Sequence, residues 1–379
     1  MMKPLRDHRK NNIVFLIAAF LLLQSLACRL FINGDLPVVT SEPQETEAPT
    51  ELSPVPTKDT QGQSLPNQVQ EVPVQVIPLD GPAALAQAEY SGMAWYQDQL
   101  VLLPQYPQRM SNHADGLLYA ITRQEILDFI QGKNSQPIRP REITLKSQEL
   151  ENEISQFEGF EAIAFDGQQV YLTIEAREGL NMMGYLVKGE VQGNLNEIHL
   201  DMNSLTRNPP QQEQSNRSDE AILIADDLLL TFFESNGAQA NPDSHASLFD
   251  LSLTPRGILE FPAIEYRLTD ATEMDASGRF WMMNYFFPGD TDLLPLSDPI
   301  RETYGAGITH AQSETIERLL EFQYSSEGIT LSGTPPIQFQ LVSVEESRNW
   351  EGLVRLDDLG FLIVTDKFPE TILGFVAYP

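Results

Sequence analysis

Beyond residue 80 the chain repeats a short pattern, and this repeat limits the folds open to it. Each copy has a polar or acidic residue at its second position, and in four of the five copies a Gly or Ala then precedes an apolar residue. A tight turn and an apolar run follow. Asp166-Gly167 is an example of the turn, because Asp-Gly between apolar runs is typical of a β-hairpin. The five copies are Tyr90–Trp95, Phe160–Phe165, Asp219–Ile224, Thr272–Asp275 and Trp350–Val354.

Further strand-like runs complete most of these units. The apolar run after each turn is Leu100–Leu103, Val170–Ile174, Leu228–Phe233, Phe280–Tyr285 or Phe361–Thr365. Two more runs follow in the second and third units: Met183–Val187, Glu197–Leu200, Ala246–Leu253 and Ile258–Phe261. Four antiparallel strands per unit predict an all-β fold, a β-propeller of about five four-stranded blades. Six blades are the alternative, if Pro288–Gln312 hides another unit; we interpret that stretch and Met202–Ser218 as long loops.

The two ends of the repeat region predict how the ring closes. The last unit stops after its third strand, Thr371–Ala377, and Val74–Pro78 is a strand without a unit of its own. This N-terminal strand can supply the missing fourth strand and leave no open edge. We therefore expect one propeller domain over residues 72–379, and we expect it to be a monomer.

The first residues look like a targeting segment. Basic residues precede an apolar run from Ile13 to Leu23, and Cys28, the one cysteine in the chain, follows. This order resembles a bacterial lipoprotein signal peptide over residues 1–28, with Cys28 as the lipidated residue. An uncleaved anchor and ordinary secretion are the alternatives. All three place the domain outside the cytoplasm, and the first predicts a protein lipid-anchored to the cell membrane on its extracytoplasmic side, at the cell surface or in the periplasm.

Composition adds a tether and excludes some partners. Residues 29–71 are rich in Pro, Thr, Glu and Gln, a composition typical of a disordered spacer. The formal net charge is −30. Nucleic acid would repel such a chain, so the sequence predicts no nucleic-acid partner. The predicted partners are the membrane, through the lipid anchor, and a small-molecule ester or a protein ligand.

An acidic residue recurs at the start of the units. Glu161, Glu220, Glu273 and Glu351 share this position, and Ser91 takes it in the first unit. In a propeller the position lies at the mouth of the central channel, where converging carboxylates repel one another. A hard cation would relieve the repulsion, and oxygen ligands suit calcium. We predict a calcium site at these four glutamates; the alternative is that they cap strands and accept hydrogen bonds from backbone amides of adjacent blades.

A second polar set follows the second strand of each unit. Its members are Gln105, Glu175, Glu234, Asn284 and Asp366. With Ser91, the last four are predicted to line the channel or a neighbouring pocket. The cations nearest to these segments are Arg177, Arg301, Arg348, Arg355 and Lys367, each of which is more typical of a surface ion pair.

Several segments resemble a known family. They are Glu161–Gly167, Asn284–Gly289, Trp350–Leu353 and Leu362–Pro369. They look like segments of the phytase-like esterase propellers, and the Glu-Gly strand start is also similar to that of calcium-dependent lactonase propellers. The resemblance covers roughly residues 85–379 and implies a secreted or periplasmic propeller with phosphoesterase-type activity.

Two functions stay open at this point. One is an extracytoplasmic ester or phosphoester hydrolase, calcium-dependent, with no residue assigned as its base. The other is a non-catalytic propeller that binds a ligand or a protein. Phytate itself is a poor candidate substrate, because a polyphosphate needs many basic residues and the chain has 24 Lys and Arg in all.

Overall fold

The computed structural model describes residues 69–111, 115–147, 150–179, 181–214, 216–343 and 346–379. The predicted signal peptide, Cys28 and the tether up to residue 68 lie outside these residues. None of the described helices is long and apolar enough to cross a membrane.

Strands dominate the fold. Those of the first two units are β3 (Tyr90–Tyr96), β4 (Gln99–Pro104), β5 (Gly116–Thr122), β6 (Arg141–Lys146), β7 (Phe157–Asp166), β8 (Gln169–Glu178), β9 (Asn181–Gln192) and β10 (Glu197–Asn208). Those of the next two are β11 (Asp219–Ala225), β12 (Leu228–Phe233), β13 (His245–Asp250), β14 (Pro255–Glu260), β15 (Arg267–Ala271), β16 (Arg279–Phe286), β17 (Ile316–Ser325), β18 (Gly328–Leu331) and β19 (Ile337–Phe339). The rest are β20 (Trp350–Leu356), β21 (Gly360–Thr365), β22 (Leu373–Ala377), β1 (Glu71–Val72) and β2 (Val74–Ile77). Short helices α1 (Arg123–Ile130), α2 (Leu150–Glu153) and α3 (Pro299–Tyr304) lie in connections.

The first strands of the five units form a closed circle. Strand β3 contacts β7, β7 contacts β11, β11 contacts β15, β15 contacts β20, and β20 returns to β3. Behind each first strand the remaining strands of the unit follow in antiparallel order. The sheets are not all separate, because β6 and β10 pair in parallel and join the first two units into one eight-stranded sheet. The architecture is all-β, and the radial arrangement is that of a propeller.

Apolar clusters fill the space between neighbouring units. One cluster joins Val101 of the first unit to Leu172 of the second, and another joins Tyr171 to Leu229 of the third. The remaining junctions are filled in the same way. Phe232 meets Phe280, Trp281 meets Phe361, and Leu362 meets Leu102. The hydrophobic core is therefore divided among the faces between units, and burial of these faces holds the circle together.

Small residues at the start of two first strands permit close approach near the axis. A Cβ on Gly352 would lie 2.7 Å from Cγ1 of Val364 and 2.9 Å from Cγ of Met93. A Cβ on Gly92 would lie 3.3 Å from Cα of Ala162. This is the crowding that the repeated Gly or Ala predicts.

The N-terminal strand completes the last unit as predicted. Strand β2 pairs antiparallel with β22, in register from Val74 with Val376 to Ile77 with Leu373. Strand β1 pairs in parallel with β19 of the fourth unit. The six residues of β1 and β2 therefore pair with the edges of β19 and β22 that would otherwise be open.

Two predicted segments differ from the structure. Thr272–Asp275 is not the first strand of the fourth unit; that strand is β15, which ends at Ala271. Glu273, the acidic residue of the predicted strand, therefore lies after the end of β15 and not at its start. The first part of the predicted loop Met202–Ser218 belongs to a strand, because β10 continues to Asn208 after a bulge between Asp201 and Thr206. The stretch Pro288–Gln312 connects β16 to β17 and contains α3.

Candidate functional site

Every first strand carries a bulge near its start. The pairing skips one residue in four units, and the skipped residues are Ser91, Glu161, Glu220 and Glu351. In the fourth unit Thr269 and Asp270 stand opposite Met283 alone. Bulges re-aim side chains, so the repeated polar position owes its orientation to this irregularity.

The bulge position has two different roles. Ser91 Oγ donates a 2.6 Å hydrogen bond to the carbonyl of Phe160, and Thr269 Oγ1 donates a 2.6 Å bond to the carbonyl of Trp350. Each hydroxyl thus ties its strand to the first strand of a neighbouring unit. The three glutamates present carboxyl groups to a cavity, which Ser91 also borders.

This cavity has a volume of about 350 Å³. We call it the carboxyl cavity. Its walls come from the strand starts and from the residues that follow the second strands. The lining residues are Glu89, Tyr90, Ser91, Gln105, Tyr106, Glu158, Glu161, Glu175, Asn216, Glu220, Arg267, Asn349, Glu351, Asp366, Lys367 and Phe368. The structure therefore brings together six of the nine residues predicted for the metal site or the channel.

Glu273 was wrongly placed in the predicted set. It is exposed and lines a separate cavity of about 620 Å³ with Trp95 and Asp357, at the opposite ends of the first strands. The error follows from the wrong strand start in the fourth unit. The true strand places Thr269 at the bulge, and Asp270 next to it accepts hydrogen bonds from the amides of Leu353 (2.7 Å) and Ala271 (2.8 Å). Asp270 thus has the role that our alternative gave to the glutamates: its carboxylate accepts hydrogen bonds from backbone amides of its own unit and of a neighbouring unit.

Asn284 also lies outside the cavity. Its Nδ2 donates to the carbonyls of Glu265 and Arg267, at 2.9 Å each, and its Oδ1 accepts a 2.7 Å bond from Arg318. In the fourth unit Asn284 pairs with Leu268, and in the second unit Ile174 holds the same place opposite Phe160. Asn284 is therefore equivalent to Ile174. The residue equivalent to Glu175 is the next one, Tyr285. The Tyr285 hydroxyl donates a 3.1 Å hydrogen bond to Oε1 of Glu351.

Arg267 is the main functional residue that the sequence analysis missed. Its side chain is 16% exposed and forms ion pairs with Glu234 and, at 2.7 Å, with Asp290. Burial works against the charge, but Glu234 and the other nearby carboxylates hold the pKa of Arg267 well above its ordinary value. Glu234 is itself fully buried behind the cavity wall. Thr269, two residues after Arg267, carries a hydroxyl at the bulge position as Ser91 does in the first unit. This likeness is the signal in the sequence that could have identified the strand.

The carboxyl groups of the cavity are desolvated and repel one another. Burial, together with the charge of Glu234, raises the pKa of Glu175 to about 8. Burial also raises the pKa values of Glu161, Glu220 and Glu351 well above their ordinary range, with added repulsion from Glu175, Glu234 and Asp366 respectively. The pKa of Asp366 is raised by burial, but its carboxylate accepts a 2.7 Å bond from the amide of Phe368.

Two of these carboxyls lack partners. Among the described residues, no hydrogen bond reaches Oε1 of Glu175 or Oε2 of Glu220, although the two side chains are only 4% and 8% exposed. Glu161 differs, because Gln105 Nε2 donates to its Oε1 at 3.1 Å. Buried acceptors without donors are costly, so these oxygens mark where a ligand or water would bind.

Ion pairs and aromatic rings surround the cavity mouth. Glu158 accepts two hydrogen bonds from Arg177, at 2.7 and 2.8 Å, and Lys367 binds Glu89. The rings of Tyr106 and Phe368 line the same mouth. Within the described segments, no three His, Cys, Asp or Glu side chains converge in the manner of a metal site.

No protein-family model matches this sequence, and no characterised protein matches it. Solved structures with a similar course of the chain include a glycosyl hydrolase from Bacteroides ovatus, which is 8% identical over 83% of this chain and 96% of the other, with a TM-score of 0.43. A GH43_1 enzyme from Xanthomonas citri is 10% identical over 80% and 91% of the two chains, with a TM-score of 0.42. An exo-1,5-alpha-L-arabinanase from a bovine ruminal metagenomic library is 8% identical over 82% and 99%, with a TM-score of 0.41.

Proposed function

We propose that the chain is a five-bladed β-propeller hydrolase that cleaves a glycosidic bond in a carbohydrate without negative charge. The five blades are the five units of the closed circle, with β2 as the outer strand of the last. The observation that carries the activity is the pair Glu351 and Asp366. Both carboxyls line one cavity, both belong to the last unit, and the charge of Asp366 is the largest of the charges that raise the pKa of Glu351.

Charge argues against an anionic substrate. Seven carboxyl groups line the cavity, from Glu89, Glu158, Glu161, Glu175, Glu220, Glu351 and Asp366, against two cations. Both cations are already bound to carboxylates, Arg267 to Glu234 and Lys367 to Glu89. A phosphoester would meet uncompensated negative charge at short range, whereas a sugar hydroxyl can donate hydrogen bonds to the same groups.

The chemistry follows from the different environments of the two carboxyls. Glycoside hydrolysis needs one protonated carboxyl and one carboxylate on either side of the bond. Glu351 accepts a hydrogen bond from the Tyr285 hydroxyl, and desolvation together with the charge of Asp366 raises its pKa well above the ordinary range, so we assign it as the acid that donates a proton to the departing oxygen. Burial raises the pKa of Asp366, but the hydrogen bond from the Phe368 amide favours its ionised form, so we assign it as the carboxylate that supports the positive charge developing on the sugar carbon, as nucleophile or as base for a water.

The test uses the full-length chain and a panel of aryl glycosides, with an aryl acetate and an aryl phosphate beside them. We expect turnover of at least one glycoside, and a loss of at least about a hundredfold in kcat in Glu351→Gln and in Asp366→Asn. Glu273→Gln, which changes a carboxyl at the opposite ends of the first strands, is the matched control and should keep full activity. Turnover that survives both cavity substitutions would overturn the assignment.

An ester hydrolase of the phytase-like type is the second candidate. It is supported by Asp366, Lys367 and Phe368, which belong to a segment that carried the resemblance and which line the cavity. Turnover of the acetate or the phosphate, but of no glycoside, would favour it. Saturable binding without turnover of any compound would favour the non-catalytic binding propeller.

Calcium binding in the cavity is a separate proposal. The free oxygens of Glu175 and Glu220 support it, but the described residues fit a metal only in part, since no three ligands converge. No step above depends on a metal. Bound calcium would raise the melting temperature by an amount that grows with its concentration above Kd. Melting the full chain in EDTA and in millimolar calcium measures this, and Glu220→Gln should remove the shift.

A further inference from the structure

We propose that the carbohydrate bound in the carboxyl cavity carries a protonated amine, and that this amine binds the wall formed by Glu175 and Glu220. The inference rests on the proposed function and names the substrate class of the same site. It starts from the two free carboxyl oxygens, Oε1 of Glu175 and Oε2 of Glu220, which belong to side chains more than nine-tenths buried.

The two glutamates stand on neighbouring elements. Glu175 lies in β8 and Glu220 in β11, and these two strands are in contact across the junction of the second and third units. The acid and base proposed above, Glu351 and Asp366, come from the fifth unit. The cavity therefore has a reactive wall on one unit and an unsatisfied acceptor wall on two others.

The cations nearest this wall are paired with other carboxylates, and neither donates a hydrogen bond to the two free oxygens. Arg267 is held by Glu234 and Asp290, and Arg177 is held by both oxygens of Glu158. Lys367 binds Glu89 at the mouth. No side chain of the described residues donates to the two free oxygens, so a donor has to come from outside the chain or from water.

A protonated amine on the ligand would supply both hydrogen-bond donors and a positive charge to this wall. A hydroxyl group can donate one hydrogen bond to either carboxyl, but it carries no charge to stabilise the ionised forms, which the raised pKa values of Glu175 and Glu220 show to be disfavoured in the empty cavity. An ammonium group has three donors and a positive charge, and its hydrogen bonds to carboxylates are among the strong ones. Buried carboxylates are stabilised by such a partner and destabilised without it. An acetylated amine would lose the charge and two of the three donors.

The test compares amino sugars with their parent sugars by calorimetry on the full chain in EDTA. Glucosamine, galactosamine and mannosamine are each set against glucose, galactose and mannose, with N-acetylglucosamine as the uncharged amide. We expect one amino sugar to bind at least about tenfold more tightly than its parent, the effect of one charge-assisted hydrogen bond. Glu175→Gln and Glu220→Gln should each remove most of this preference, while Glu273→Gln should keep it.

The outcomes separate this inference from the proposed function. Equal affinity for amine and parent sugar, with aryl glycosides still hydrolysed, would overturn the inference and leave the activity standing. An amine preference that depends on Glu175 and Glu220, with no glycoside hydrolysed, would support the amine site and overturn the activity. Affinity for calcium that is lost in Glu220→Gln, without any amine preference, would assign the free oxygens to the metal. Both Gln variants should fold, because each removes a buried carboxyl from a group of like charges; their thermal melts check this.

Discussion

At the scale of single residues, the bulge position of the first strands carries a hydroxyl residue in two units and a glutamate in the other three. Ser91 and Thr269 satisfy their hydroxyls with carbonyls of neighbouring first strands. At the same bulge Glu161 and Glu220 are buried, Glu351 is partly buried, and all three line the carboxyl cavity. A hydroxyl can be satisfied by one backbone carbonyl, whereas a buried carboxylate cannot. The raised pKa values of the three glutamates reflect this cost of burying a carboxylate.

A pH dependence of stability follows from Glu175. Its pKa is about 8 in the folded protein and close to its ordinary 4.5 in the unfolded chain, so the folded state binds the proton more tightly. Stability is therefore highest below pH 4.5 for this group and falls as the pH rises through 8. Because each unit of pKa shift corresponds to about 1.4 kcal/mol, we expect a loss of the order of a few kcal/mol between pH 5 and pH 9.

Denaturant unfolding at both pH values measures this loss. Glu175→Gln should reduce it and should stabilise the protein at pH 9. Glu327→Gln, a substitution in the exposed turn between β17 and β18, is the control and should follow the unmodified chain. A Glu175→Gln variant whose unfolding free energy falls as steeply as that of the unmodified chain would contradict the prediction.

At the scale of elements, the N-terminal strands decide whether the circle is complete. Strand β2 adds a fourth strand to the last unit, and β1 reaches the fourth unit. Glu71 in β1 fastens this connection, since its carboxylate accepts a 3.0 Å bond from the amide of His310 and a 2.9 Å bond from Nδ1 of the same residue. Residues 71–77 are thus part of the fold and not only a spacer.

A pair of substitutions in β2 tests its contribution. Ile77 is fully buried, whereas Val76 beside it is 52% exposed. We expect Ile77→Ala to lower the free energy of unfolding by about 2 to 4 kcal/mol, because it opens a cavity between the first and last units. Val76→Ala should cost about 0.5 kcal/mol or less. Equal effects of the two substitutions, measured by urea unfolding, would mean that the strand contributes only its backbone hydrogen bonds.

At the scale of the whole molecule, stability comes from the junctions between units. Each of the five junctions has its own apolar cluster, so no single core dominates. The same closure places the starts of all first strands at one end of the axis. Residues more than 200 positions apart, such as Glu89 and Lys367, therefore share the mouth of one cavity.

Attachment to the membrane is a prediction for the whole chain. Cys28 lies five positions after the end of the apolar run at Leu23 and is the only thiol in the sequence. Cys28→Ala should move the protein from the membrane fraction to the soluble fraction, or leave its signal uncleaved. Ser41→Ala, a change in the predicted tether, should do neither. Fractionation and intact mass together measure the result, and unchanged values in Cys28→Ala would show that the lipoprotein prediction is wrong.

Much of the fold could be predicted from the sequence because its signals are local. The turn Asp166-Gly167 and the apolar runs around it identify the hairpin of β7 and β8, where Asp166 pairs with Gln169. Hairpins of this kind form from neighbouring residues, so their pattern survives in the sequence. The pairing of β2 with β22 could also be predicted. The last unit lacks a fourth strand and the segment before the repeat is a strand without a unit, so pairing the two leaves no open edge.

The site required the tertiary structure. Two neighbouring residues in β16, Asn284 and Tyr285, differ in role because a shift of one residue moves a side chain to the other face. Arg267 and Glu273 lie six residues apart, yet only Arg267 reaches the cavity, because the bulge and the pairing of β15 set where the strand begins. The sequence determined which segments become strands and that they repeat. Only the long-range pairing and the closure of the circle decided which carboxyls meet, which of them lack a partner, and where Arg267 stands among them.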